Sequence, residues 1–147
     1  MKIGVLNGPN LNFLGKREPD VYGNLTLDDL KEQLLEAAKD KNATLEFAQS
    51  NVEGELINII QKWAEENYDG VIFNPGGYTH TSVALRDAVS SVKVPFVEVH
   101  ISNIYKREEF RRHSFTAGAS VGVISGLGFF GYIAALEYLT GKKSDSK

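Results

Sequence analysis

The chain has 147 residues, a formal net charge of −3, 42% hydrophobic and 24% charged residues, and no cysteine. This balance predicts one globular domain with a buried core, and it excludes disulfides, thiolate metal sites and a basic field that would attract nucleic acid. The first apolar run is too short for a signal peptide, and no window approaches the ~20 apolar residues of a membrane span. We therefore expect a cytoplasmic protein with neither a nucleic-acid nor a membrane partner.

Five short apolar or alternating segments are predicted as strands, over residues 2–6, 44–49, 70–73, 95–101 and 120–124. Helical apolar periods lie between them, in a helix opened by Thr26 and over residues 53–67, 83–92 and 127–139. Strands that alternate with helices predict an α/β protein, with a flavodoxin-like, doubly wound, five-stranded parallel sheet and helices on both faces. Residues 1–140 are expected to form a single catalytic domain, and residues 141–147 a polar tail with no reason to order.

Two helices carry more detailed predictions. Thr26 is followed three residues later by Asp29, which approximates a capping box at the start of the first helix. In the third helix the apolar residues predict a buried stripe, made of Val83, Ala84, Ala88, Val89 and Val92.

The first strand is followed by an unusually long loop, residues 7–23. Typical strand-to-helix loops have ~2–6 residues, and long ones tend to be functional lids. This loop contains Arg17 and Tyr22, and a nearby guanidinium would favour the ionised form of a tyrosine. The alternative is an exposed loop aromatic, which the residues alone favour.

The stretch from Asn74 to Ser82 lies between a buried strand and a helix. Ligands of open α/β sheets bind at such carboxyl ends of strands. A helix cap at Thr79, Thr81 or Ser82 is the simpler explanation, but a cap alone would not require Asn74 and His80 on the same turn. We therefore interpret this stretch as part of a ligand site.

Glu98 and His100 stand two residues apart on a predicted strand, so their side chains face the same side. A carboxylate fixes the tautomer of a neighbouring imidazole and favours its charged form, which suits a general acid. The alternative is an ordinary ion pair at a sheet edge. Arg107, Arg111 and Arg112 follow this strand; such a run is usually a solvated helix face, but its position makes Arg111 a candidate ligand clamp. The histidines lack the spacing of a metal site, so no metal is expected.

Three of these motifs, residues 8–23, 74–82 and 98–103, closely resemble those of type II 3-dehydroquinate dehydratase, and the resemblance continues through residues 107–111. It implies a hydro-lyase of the shikimate pathway, which supplies aromatic amino-acid biosynthesis. The reaction would convert 3-dehydroquinate, a small anionic substrate, to 3-dehydroshikimate by anti elimination through an enolate, without a cofactor or a metal.

The resemblance also implies a role for each site residue. Tyr22 would be the base, with Arg17 stabilising its ionised form and closing the loop, and His100, oriented by Glu98, would be the acid. Asn10 would hold a water against the enolate oxygen. The substrate would contact Asn74, the amides of Ile101 and Ser102, His80 and Arg111. Asp87 would reach the site of a neighbouring subunit in a homododecamer, a tetramer of trimers.

Two other interpretations remain open from the sequence. A flavodoxin-like binding module for a small ligand fits the strand count, although an FMN site would need a hydroxyl-rich loop and residues 8–12 contain no Ser or Thr. Another lyase or isomerase on the same scaffold is harder to exclude.

Overall fold

A parallel five-stranded sheet runs through the computed structural model, which describes residues 1–145. Its strands are β1 (Lys2–Asn7), β2 (Thr44–Gln49), β3 (Gly70–Asn74), β4 (Phe96–His100) and β5 (Gly122–Ser125). Their order across the sheet is β2-β1-β3-β4-β5, and every neighbouring pair is parallel. This is the flavodoxin-like order, so the predicted fold class is confirmed.

Helices cover both faces of the sheet and give it two cores. They are α1 (Pro19–Tyr22), α2 (Leu27–Ala38), α3 (Glu53–Glu65), α4 (Val83–Ser90) and α5 (Phe130–Asp145). The helices α2 and α5 pack on one face, and α3 and α4 pack on the other. Along β1 the buried side chains alternate, because Val5 belongs to the first core and Leu6 to the second.

The capping box predicted at the start of α2 is present. The Thr26 hydroxyl accepts a hydrogen bond from the Asp29 amide at 3.1 Å, and the Asp29 carboxylate accepts one from the Thr26 amide at 2.8 Å. Two amides at the start of the helix are thereby paired, which fixes where α2 begins.

The prediction for α4 was wrong at three positions. Val83 is 52% exposed, Ala84 is exposed, and Val92 lies beyond the helix and is half-buried. Leu85, Ala88 and Val89 are buried. The Ser82 hydroxyl accepts from the Leu85 amide and sets the start of the helix, so that Leu85 points into the core. The spacing of apolar residues in the sequence could not show that Val83 and Ala84 face outward.

The last helix begins and ends later than predicted. Its expected first turn is occupied by a loop, because the amides of Gly126 and Gly128 donate to the carbonyls of His100 and Ile101. The helix then continues past Leu139 to Asp145, so the expected polar tail is helical over residues 141–145. A packed helix adds further turns at little cost, and no proline ends this one. Residues 146 and 147 of that tail lie outside the described residues.

Candidate active site

The loops after β1, β3 and β4 converge on a cleft of about 600 Å³, part of it open to solvent. Such a cleft is expected where the carboxyl ends of parallel strands meet. Its lining includes every predicted site residue except Glu98 and Asp87, that is Asn10, Arg17, Tyr22, Asn74, His80, His100, Ile101, Ser102 and Arg111. Six residues outside the predicted site also line it: Pro9, Leu11, Gly76, Gly77, Ile104 and Arg107.

Tyr22 lies between two guanidinium groups. Its Oη accepts a hydrogen bond from Nη1 of Arg107 at 2.7 Å and one from Nη2 of Arg17 at 3.4 Å. The guanidinium carbons also lie 5.4 Å and 4.7 Å from the centre of the tyrosine ring, respectively. Two cations at one phenolic oxygen favour a negative charge there.

Arg107 was missed as a site residue, although it makes the shorter of the two bonds to Tyr22. The sequence had favoured a solvated helix face for it. The same signal that singled out Arg111, a position just after the Glu98–His100 strand, could have found Arg107 as well.

The segment that carries Tyr22 is the one-turn helix α1. Pro19 stands at its first position, where a missing amide hydrogen costs nothing, and Glu18 before it adopts a left-handed backbone with φ 37°. The Glu18 carboxylate pairs with Arg17 at 3.2 Å and with Arg107 at 3.6 Å. The carboxylate thus joins the loop after β1 to the segment after β4.

His100 is held from behind by Glu98. The imidazole Nε2–H donates to Oε2 of Glu98 at 2.8 Å, and the Glu98 side chain is fully buried. Burial raises the pKa of Glu98, but hydrogen bonds from His100, Thr116 and Ser114 outweigh it and leave this pKa below its ordinary value. The carboxylate is therefore ionised at neutral pH, and the opposite ring nitrogen, Nδ1, is left for a ligand.

His80 is suited to accept a hydrogen bond. Its Nδ1–H donates to the carbonyl of His113 at 2.8 Å. Burial lowers the pKa of His80 and outweighs the bond to His113, which raises it; the electrostatic effects of His100 and Arg111 lower the pKa further, and that of Glu98 raises it. The ring is thus neutral at neutral pH, with Nε2 as its acceptor.

A buried network fixes the amide of Asn74. Its Nδ2 donates to Oη of Tyr132 at 2.8 Å, and that hydroxyl donates to Oδ1 of Asn7 at 2.6 Å. Burial raises the pKa of Tyr132, with partial opposition from the Asn74 bond, so the phenol remains a donor. The Gly76 amide donates to Oδ1 of Asn74 at 3.0 Å, which fixes the orientation of the side-chain amide. Because Nδ2 carries two hydrogens and Tyr132 accepts only one of them, the second is left for a ligand.

The loop after β1 and the loop after β3, residues 75–82, which we call the central loop, touch at a glycine. The Gly8 amide donates to the Asn74 carbonyl at 2.8 Å, and a side chain at Gly8 would collide with the carbonyl of Pro75. Asn10 follows in a left-handed backbone with φ 68°, and its amide donates to Oδ1 of Asn51 at 2.9 Å. These bonds place Asn10 at the edge of the cleft.

Two predicted site residues lie outside the cleft lining. Glu98 stands behind His100, as its expected orienting role requires. Asp87 is exposed on α4, and its expected contact with a neighbouring subunit stays a prediction. Over residues 1–141, whose side chains the structure describes, no group of three or more His, Asp or Glu could hold a metal ion. Over residues 1–145, no helix is long and apolar enough to cross a membrane.

Comparisons with known proteins point to one family. The family model described as dehydroquinase class II matches residues 1–140. The chain is 55% identical over 141 residues to the 3-dehydroquinate dehydratase of Fusobacterium nucleatum, covering 95% of this chain and 96% of that protein. It is 50% identical over 145 residues to the enzyme of the same name from Clostridium botulinum strain Loch Maree, covering 99% and 98%.

A solved structure agrees with these relatives. The type II dehydroquinase from Butyrivibrio crossotus superposes with a TM-score of 0.93 at 49% identity, covering 95% of this chain and 97% of that chain. The chain therefore belongs to the class II dehydroquinase family, and it is an enzyme of the hydro-lyase class.

Proposed function

We propose that the chain removes water from 3-dehydroquinate to give 3-dehydroshikimate, by anti elimination through an enolate. The observation that carries this proposal is that one cleft contains a phenol whose oxygen accepts two hydrogen bonds and an imidazole that donates to a buried carboxylate. The oxygen of Tyr22 accepts from Arg107 and Arg17, and His100 donates to the buried Glu98. A base and an acid are thus supplied by separate elements, and the family to which the chain belongs supports this reaction.

The first step is removal of a proton by the Tyr22 phenolate. The proton leaves the carbon beside the ketone, and the electrons of the C–H bond move to the ketone oxygen to form an enolate. Arg107 and Arg17 stabilise the phenolate before transfer. Asn10 holds a water molecule that donates to the enolate oxygen, which lowers the energy of the developing charge.

The second step is loss of the hydroxyl group. The enolate electrons return to form a carbon–carbon double bond, the bond to the β-hydroxyl oxygen breaks, and His100 gives that oxygen a proton. Glu98 stabilises the imidazolium before transfer. Tyr22 then releases its proton and His100 takes one up, so the net change is the loss of one water.

The remaining predicted residues bind the substrate. The second Nδ2 hydrogen of Asn74 and the amides of Ile101 and Ser102 receive the substrate carboxylate. The neutral ring of His80 accepts from a ring hydroxyl, and Arg111 donates to another. Neither a cofactor nor a metal ion takes part in this mechanism.

The proposal extends to the setting of the enzyme. We place the reaction in the cytoplasm, as a step of the shikimate pathway. The enzyme works as a homododecamer of four trimers, in which Asp87 contributes to the cleft of a neighbouring subunit.

Turnover of 3-dehydroquinate, followed at the absorbance of the conjugated product, tests the reaction. Tyr22→Phe keeps the ring and removes only the oxygen, so substrate affinity should change little while turnover falls below about a tenth of wild type, since general bases contribute ~10²–10⁴-fold. His100→Ala should lose a similar factor by removing the acid.

Two results would count against parts of this proposal. Removing a general base should lower turnover ~10²–10⁴-fold. If Tyr22→Phe instead keeps more than about a tenth of wild-type turnover, another group is the base. Wild-type protein that leaves 3-dehydroquinate unchanged would favour another lyase or isomerase reaction on this scaffold.

A further inference from the structure

Three hydroxyl groups surround the buried carboxylate behind His100. Ser114 Oγ donates to Oε2 of Glu98 at 2.8 Å, and Thr79 Oγ1 lies 3.1 Å from the same oxygen. Thr116 Oγ1 donates to the other oxygen, Oε1. The hydroxyls also touch one another, with Thr79 2.5 Å from Ser114 and 2.8 Å from Thr116.

Every group around Glu98 can act as a donor. An ionised carboxylate offers about four lone-pair positions and no hydrogen. The Nε2–H of His100 and the hydroxyls of Thr79, Ser114 and Thr116 supply four donors, and Glu98, Thr79 and Thr116 are each completely buried. The arrangement therefore satisfies the carboxylate as an anion, without water.

The Thr79 and Thr116 hydroxyls bond only side chains, whereas the Ser114 hydroxyl also accepts from the Ala117 amide at 3.0 Å. The Phe115 amide donates to the Thr79 carbonyl at 2.7 Å, and the His80 ring donates to the His113 carbonyl at 2.8 Å. These bonds fasten the segment around Ser114 to the central loop independently of any hydroxyl. The hydroxyls of Thr79 and Thr116 therefore serve the carboxylate rather than the path of the chain, and Ser114 serves both.

We propose that Thr79, Ser114 and Thr116 are positioning residues for the acid step: their hydroxyls keep Glu98 an anion and so keep the proton of the Glu98–His100 pair on the imidazole. This inference rests on the proposed role of His100 as the acid. With a donor removed, the carboxylate becomes a stronger base and draws the Nε2 proton away from the ring. A ring that has lost its positive charge is a much weaker acid toward the leaving hydroxyl.

Other charged groups near this pair do not replace the hydroxyls. His80 interacts electrostatically with both members of the pair, and Arg111 interacts with His80. His80 is neutral, and the Nε–H of Arg111 donates to the Glu108 carboxylate at 2.5 Å. Neither group donates to the Glu98 carboxylate.

The test uses a matched pair of variants at Thr116. Thr116→Val keeps the shape and removes the hydroxyl, whereas Thr116→Ser keeps the hydroxyl and removes a methyl group. We expect Thr116→Val to lower kcat on the order of ten- to a hundredfold, because this is the factor that the loss of one hydrogen bond to a charged group produces. KM should change little. Thr116→Ser should restore most of kcat. In a Glu98→Gln background the same substitution should cost almost nothing more, because both changes act on one carboxylate.

A spectroscopic measurement separates this inference from the proposed reaction. The proton resonance of His100 Nε2–H, assigned by its loss in His100→Ala, should move downfield in Thr116→Val and return in Thr116→Ser. This readout needs no substrate, so it still applies if wild-type protein fails to dehydrate 3-dehydroquinate.

The inference is overturned by an unchanged resonance together with a kcat within about twofold of wild type, since one charged hydrogen bond should contribute more. Additive losses in the Glu98→Gln background would overturn it as well. If Thr116→Val does not fold, Thr79→Val and Thr79→Ser provide the same comparison at the other fully buried threonine.

Discussion

At Tyr22 the two guanidinium groups differ in distance and in exposure. Arg107 is 2.7 Å from the phenolic oxygen and its side chain is 13% exposed, whereas Arg17 is 3.4 Å away and 27% exposed. A closer and better-buried cation stabilises a negative charge more strongly, because water screens it less. Arg107 should therefore contribute more to the base than Arg17 does.

Replacing each arginine by alanine tests this ranking. Arg107→Ala should lower turnover on the order of a hundredfold, as expected for a hydrogen bond to a charged group, and Arg17→Ala should cost less. Arg112→Ala is a matched control, because this exposed arginine does not line the cleft. A larger loss from Arg17→Ala would contradict the ranking. In a Tyr22→Phe background both losses should nearly vanish, since the proposed mechanism assigns all three residues to one proton transfer.

The lowered pKa of Glu98 makes stability depend on pH. The unfolded chain binds a proton at this carboxyl group near its ordinary pKa of 4.5, whereas the folded chain binds it only at a lower pH. The free energy of unfolding therefore rises with pH across that interval. The contribution of Glu98 is complete above pH 4.5 and is lost as the pH falls through the folded value.

Urea unfolding at neutral and acid pH measures this contribution. Glu98→Gln should lose less stability between neutral pH and the interval below pH 4.5 than wild type does, because it has no carboxyl group to protonate there. Equal acid losses in the two proteins would show that other groups govern the effect.

Several site residues were predictable from local sequence because their strands place them. Glu98 and His100 share a face of one strand, and Asn74 ends another, so position along the chain decides where they lie. The contact between Tyr22 and Arg107 is different, since it joins residues 85 positions apart. No periodicity or local motif encodes such a pairing, and it emerges only from the order of the strands.

At the scale of elements, β1 and α3 approach closely at a glycine. A Cβ atom at Gly4 would overlap the ring of Trp63, which is 3% exposed. Gly4→Ala should therefore destabilise the protein by about 1–3 kcal/mol, as overpacking a core does. Gly54→Ala is the matched control, because no atom lies within 4 Å of the Cβ position at this glycine in α3. That substitution should stabilise by roughly 0.5–1 kcal/mol through helix propensity.

Thermal or urea unfolding measures both substitutions, and a second change checks the cause. In a Trp63→Leu background the smaller side chain leaves room, so Gly4→Ala should cost less there. An equal cost in both backgrounds would place the strain elsewhere in β1.

Sequence patterns located some elements better than others. The bounds of β2 were predicted in full, and the start of α2 followed from its capping box, because both signals are local. The buried side of α4 and the length of α5 were not, since packing decides which face turns inward and how far a docked helix propagates.

At the scale of the whole molecule, several exposed apolar side chains lie on or near β5 and α5. They are Val121, Val123, Leu127, Phe130 and Tyr138, each between 42% and 62% exposed. Exposed apolar patches of this kind are typical of protein–protein contacts. They support the proposed assembly into a symmetric oligomer.

Mixing two inactive variants tests whether subunits share active sites. Asp87 lies outside the cleft of its own chain, so Asp87→Ala should inactivate a neighbouring cleft, whereas Tyr22→Phe inactivates its own. Co-expressed variants should then regain part of the wild-type turnover, because some clefts receive both native residues. Activity no greater than the sum of the separate variants would remove Asp87 from the shared site. A fully active monomer by light scattering would end the proposed assembly.

The bond between Tyr22 and Arg107 also affects when activity can arise during folding. It joins the loop after β1 to the segment after β4, so it cannot form until the intervening strands have paired and the later segment has docked. Long-range contacts of this kind form late, because a long stretch of chain must be ordered first. A partly folded chain with much of its helix already formed would still lack the proposed base, and turnover would report the completed fold rather than its beginnings.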